Sequence, residues 1–243
     1  MNKVEHWIDL DQTKICWVHG PAGAGKSAIA QTVSETHAAR GQLTASFFFS
    51  RSAPSRRHAR RFFTTIALQI SHSILQTRQA ICKTVEDDLQ IVHKQHSAQL
   101  KQLLILPLLS PSSSSSAPTP PFPVIVDGLD ECNLSGDQSK LLLHILELVE
   151  TRHLPLRFLI FSRPEPQTRH FFDTFAIKAS TKISIYGDHR AREDVRLFFE
   201  PDSTQSTTRK ACHHHEACSQ TVAFRRGCPA ARRSIWWLLH LCF

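Results

Sequence analysis

The run "GPAGAGKS", Gly20 to Ser27, sets three glycines, a lysine and a hydroxyl between an apolar stretch and an Ala-rich one. Its order, G-x-x-x-x-G-K-[ST], suits the gripping of a polyphosphate. Gly20, Gly23 and Gly25 let the backbone curl until its N–H groups converge on phosphate oxygens. Pro21, Ala22 and Ala24 complete the candidate binding loop. The opening turn of the following helix adds partial positive charge. Lys26 can reach the β- and γ-phosphates as a point charge, and the Ser27 hydroxyl can ligate Mg²⁺. At average composition the pattern arises by chance in a chain of this length about one time in a hundred.

A metal held by one hydroxyl needs a second anchor, and "PVIVDGLDEC" supplies it. An apolar run from Val124 to Val126 delivers Asp127 at its carboxyl end, where open α/β sheets bind ligands. Asp127 is the candidate Mg²⁺ acid. Asp130 and Glu131 follow on the emerging turn and are candidates to orient or deprotonate a water, Glu131 before Asp130. A helix N-cap would also favour acids at these positions. The third piece is "LRFLIFSRPE", a buried run that ends in Ser162 and Arg163 and is stopped by Pro164. Arg163 suits contact with a terminal phosphate, or a surface pair with a carboxylate.

The elements that must position these residues alternate. Strand-like runs occur at Ile15–His19, Thr44–Phe49, Val124–Val126, Phe158–Phe161 and Ile183–Tyr186. Helical spacing occurs over Ser27–Ala38, Phe62–Leu75, about Gln79–Leu106, Lys140–Glu150 and Arg190–Phe199. Short apolar strands between helices predict a parallel sheet of about five strands covered on both faces, a three-layer αβα sandwich, and the P-loop pattern at Gly20–Ser27 makes the expected fold one of the P-loop NTPase kind.

Composition sets outer limits. The chain has 243 residues, 41% of them hydrophobic, and a net charge of +8. Six basic residues against two acids lie in 201–243, so the body is only mildly basic. No apolar run approaches the ~20 residues of a membrane span, and the N-terminus has no signal-peptide pattern. Seven cysteines are an odd number, and three of them sit in or beside apolar runs of the body. That fits reduced thiols and a cytoplasmic protein better than a disulfide framework.

Together the quoted segments, with "WVHGPAGAGKSAIAQTV", "LTASFFFSR" and more weakly "REDVRLFFE", resemble the NACHT domains of the STAND class of P-loop NTPases. The likeness is greatest to fungal NACHT proteins with a nephrocystin-3-like N-terminal region. It runs from Trp7 to about Glu200. The resemblance implies a nucleotide-operated signalling switch that takes Mg²⁺ with ATP or GTP, and either homo-oligomers or protein signalling partners. It also implies a sheet in which the strand ending at Arg163 lies between those ending at the glycine-rich loop and at Asp127. Asp130 and Glu131 stand where the family carries an additional acid. The alternative is a truncated module that holds nucleotide without turnover.

The domain organisation expected is a nucleotide-binding domain over 1–200, with a low-complexity surface loop at 110–123, then a basic Cys/His-rich tail over 201–243. The tail begins at a proline that would stop the last helix and lacks a period of its own. An altered reading frame or a divergent tail would each give that shift in composition. Within it, "CHHHEAC" lacks the ligand spacing of a zinc site. The five arginines of "RSAPSRRHARR" have no interleaved aromatics, so they read as a solvated loop and not as a nucleic-acid grip.

Overall fold

In the computed structural model, which describes residues 3–110, 122–132, 135–151, 154 and 156–186, five apolar runs pair as one sheet. The strands are β1 (Ile15–His19), β2 (Ala45–Phe48), β3 (Phe122–Asp127), β4 (Leu156–Ser162) and β5 (Ser180–Ser184). Their order is β2-β3-β4-β1-β5, and every pairing is parallel. β4 therefore lies between β1 and β3, as the resemblance implies. It is buried at all seven positions, which a strand needs when helices cover both faces of its sheet.

The helices are α1 (Lys3–Leu10), α2 (Lys26–Ala39), α3 (Phe62–Ser73), α4 (Leu75–Asp87), α5 (His96–Gln99), α6 (Leu106–Leu108), α7 (Ser135–Glu150) and α8 (Pro166–Thr174). Alternation along the strands divides the core. Trp17, Phe47, Val126, Phe158 and Ile160 face the layer that contains α3, α4, α7 and α8. Cys16, Val18, Ile125, Leu159 and Phe161 face α1 and α2. The result is the α/β three-layer sandwich with a five-stranded parallel sheet.

α1 had no clear signal in the sequence. It is held by Arg157 of β4, whose guanidinium lies 4.2 Å from the Trp7 ring centroid. Arg157 also donates to the carbonyls of Ile8, Asp11 and Thr13 at 2.8–2.9 Å. The orphan carbonyls at the end of α1 thus find a partner from the sheet. Trp7 Nε1 donates to Thr13 Oγ1 at 2.9 Å, which fixes the ring against that guanidinium.

Other bounds moved for physical reasons. The expected helix over Gln79–Leu106 is interrupted after Asp87. Asp88 leaves the helical conformation (φ −147°, ψ 84°), and its side chain accepts the Gln90 N–H. The chain resumes through a 3₁₀ turn (Leu89–His93), α5, a π-helical turn (Leu100–Ile105) and α6. That wide turn comes just before Pro107, whose ring crowds the carbonyl one turn back. β5 starts three residues before the expected run, because its register is set by pairing Ile15 to Ser180 and His19 to Ser184. β3 begins at Phe122, so Phe122 and Pro123 belong to the strand. The Pro123 carbonyl accepts the Thr44 N–H at 3.1 Å. α7 begins at Ser135, before the Leu-rich run. α8 follows Pro164 and begins at Pro166, which fits its first turn, where an ending was the more obvious reading.

The expected helix over Arg190–Phe199, most of the 110–123 loop and the 201–243 tail lie outside the described residues. Among the described residues no helix is long and apolar enough to cross a membrane. Cys16, Cys82 and Cys132 are thiols there, and burial pushes the Cys16 thiol far up.

Candidate functional site

β1, β3 and β4 run parallel, so their carboxyl ends open on one side of the sheet. After β1 the chain turns through Gly20–Gly25 and enters α2 at Lys26. Gly25 makes that entry with φ +84°, a left-handed conformation that favours glycine. After β3, Gly128 turns at φ +68°. A Cβ there would lie 3.1 Å from the carbonyl oxygen of Phe49, just after β2, so the close approach adds to the backbone strain any side chain would meet. After β4 comes Arg163.

These three ends line one open pocket of about 330 Å³. Its walls are Ala22 to Ala28, Asp127, Gly128, Asp130, Glu131 and Arg163. Most of the residues singled out from the sequence therefore meet at one place. Gly20 and Pro21 are not in its wall but touch it through Lys26. The Lys26 Nζ donates to the Gly20 carbonyl at 2.9 Å and to the Pro21 carbonyl at 2.7 Å. Gly20 is itself packed against Ile185, the residue after β5, whose Cβ a Cβ at Gly20 would meet at 3.3 Å.

The electrostatics follow from burial and neighbours. Desolvation lowers the Lys26 pKa, against Asp130, which raises it. Burial raises the Asp127 pKa, and hydrogen bonds from the Ser27 hydroxyl and the Gly128 N–H pull it part of the way back. Asp127 and Ser27 thus place two oxygen donors together at the base of the pocket. That is a hard donor set, which fits a cation such as Mg²⁺ completed by water or ligand oxygens. Among the described residues no group of three or more His, Cys, Asp or Glu could hold a metal by itself.

The acids after Gly128 differ in their surroundings. Asp130 is buried. Its Oδ1 accepts the backbone N–H of Arg163 at 2.9 Å, and its Oδ2 lies 3.2 Å from Arg163 Nε. Glu131 is partly exposed, and its Oε2 accepts the Arg51 N–H at 3.1 Å. Arg51 was missed as a site residue. It follows β2, and its guanidinium donates to the Asp130 carbonyl at 2.8 Å. Five arginines in one run suggested a solvated loop, and only the β2–β3 pairing brings the first of them to the acids. Behind the site, Trp17 Nε1 donates to the Ser162 hydroxyl at 2.8 Å, which ties β1 to the end of β4.

The profile of a family described as Nephrocystin 3, N-terminal, matches residues 1–163, about two thirds of the chain. Among curated proteins none matches.

Proposed function

The chain belongs to the nephrocystin 3 N-terminal family, and on that footing we propose that it is a nucleotide-binding switch module of the NACHT type, taking ATP or GTP with Mg²⁺. The observation that carries the reading is the pocket itself. A glycine-rich loop, a lysine, a hydroxyl, an acid at a strand end and an arginine at the next strand end line one cavity. Few ligands other than a metal-bound polyphosphate use all of these groups at once.

In this reading the loop N–H groups hold the phosphates. Lys26 exchanges the carbonyls of Gly20 and Pro21 for phosphate oxygens. Ser27 and Asp127 are the residues that would hold Mg²⁺, which when bound supplies charge neutralisation at the phosphate oxygens. Arg163 faces the terminal phosphate. Turnover, where it occurs, transfers that phosphoryl group to water and yields the diphosphate and inorganic phosphate. Glu131 takes up the proton of the water.

A second reading has its own observation. Glu131 is engaged by the Arg51 N–H and Asp130 by Arg163. With both acids occupied, the module holds nucleotide without turnover until these contacts are released.

Titration with labelled ATP and GTP, with and without Mg²⁺, tests the binding claim. Phosphate release followed in the same sample separates the two readings. Asp127→Ala is expected to remove the Mg²⁺-dependent part of the affinity and to leave the metal-free part. Glu131→Gln is expected to bind normally and to lose turnover. If Glu131→Gln turns over at the wild-type rate, Glu131 is not the base.

A further inference from the structure

Arg163 is held at its root and open at its tips. The guanidinium has five N–H donors in a planar fork. Its Nε lies 3.2 Å from Asp130 Oδ2, an ion pair without the alignment of a hydrogen bond. Among the described residues the two Nη groups meet no protein acceptor, and the side chain is 48% exposed where it lines the pocket. Asp130 is the converse. Its side chain is 5% exposed; one oxygen accepts the Arg163 backbone N–H, and the other pairs by charge with the guanidinium. Its own carbonyl is fixed by Arg51. An acid so enclosed is badly situated to take a proton from a water. It is well situated to aim an arginine.

We propose that Asp130 is a positioning residue. It grips the Nε edge of Arg163, turns the Nη edge toward the terminal phosphate of a bound nucleoside triphosphate, and thereby sets the preference for triphosphate over diphosphate. Arginine suits this task because one edge of its fork can be spent on a carboxylate while the other binds phosphate oxygens in pairs. A diphosphate does not reach that edge, so its affinity owes nothing to it. This inference rests on the nucleotide reading of the pocket.

The test uses Asp130→Asn. The amide oxygen can still accept the Arg163 backbone N–H, but the amide carries no charge to pair with the guanidinium. The volume and one of the two contacts are kept while the grip on the fork is lost. Affinities for the non-hydrolysable imido analogues of ATP and GTP, and for ADP and GDP, are measured with Mg²⁺ by titration calorimetry. The wild-type ratio of triphosphate to diphosphate affinity is expected to fall about tenfold in Asp130→Asn, nearly all of it from weaker triphosphate binding.

Arg163→Lys provides a second arm that does not disturb Asp130. A single ammonium gripped by Asp130 has no second edge, so the ratio is expected to fall as far, although the charge remains. Nucleotide binding with an unchanged ratio in either variant overturns the inference and leaves the nucleotide reading intact. Loss of turnover in Asp130→Asn with the ratio preserved assigns Asp130 as a base instead. A wild-type protein that binds none of the four nucleotides overturns both.

Discussion

Lys26→Ala is expected to lower nucleotide affinity at least about tenfold, because on the proposed reading it removes a charge-assisted contact to the phosphates worth roughly 1.5–3 kcal/mol. The side chain is only partly buried, and its present partners are two carbonyls of its own loop. Its loss costs the fold little, and the thermal midpoint without nucleotide is expected to stay near wild type. The stabilisation that ligand gives by mass action is expected to shrink in step with affinity. Equilibrium titration and a thermal shift series in ATP and GTP check both. Equal affinity in the variant and the wild type would remove the polyphosphate reading of Gly20–Ser27.

The largest expected effect on stability comes from a residue outside the pocket. Arg157→Leu leaves the carbonyls of Ile8, Asp11 and Thr13 without their donor and takes the cation from the Trp7 ring. Unsatisfied buried carbonyls cost about 1–3 kcal/mol each, offset where water can reach them. The lost cation–π contact adds about 0.5–2 kcal/mol. A total near 3 kcal/mol corresponds to about 6–12 °C in Tm for a domain of this size. Scanning calorimetry gives the total, and Trp7 fluorescence shows whether α1 leaves first. An unchanged Tm would mean that α1 is held by its apolar face alone, through Val4, Trp7 and Ile8.

The legible part of this fold was the part with local causes. Glycines and a following helix made the loop at Gly20–Ser27 readable, and apolar runs ending in charge revealed the ends of β3 and β4. The central strands are fully covered, so their sequences are nearly uninterrupted in apolar residues and easily seen. β5 is an edge strand with one partner, and "STKIS" carries almost no apolar signal of its own. α1 is contacted from the sheet by Arg157, which stands in the sequence as a charge inside an apolar run. Such a charge ordinarily argues against a buried strand, and its reason appears only when α1 is laid across the sheet. The pairing of Asp130 with Arg163 was hidden in the same way. The two residues were both visible as candidates, yet their relation depends on β3 and β4 being neighbours. Arg51 needed the β2–β3 contact and had no local mark to separate it from the four arginines that follow.

The strand order also bears on how the chain is made. β1 emerges early from a ribosome, but its hydrogen-bonding partners are β4 and β5, with Ile15 paired to Phe158 on one side and Ser180 on the other. At about 5–20 residues per second, the wait for the first of them is on the order of ten seconds. During it, "ICWVH" is an apolar strand with two open edges, and the loop that follows has nothing to hold its curl. Only β2 and β3, which pair with each other, can meet before β4 is complete. Insertion of β4 between β3 and β1 is therefore the event that joins the halves of the sheet and brings the acids to the glycine-rich loop. A nascent chain halted before Leu156 would contain nearly every residue of the pocket and no pocket, and would be a client for chaperones that recognise unpaired apolar strands.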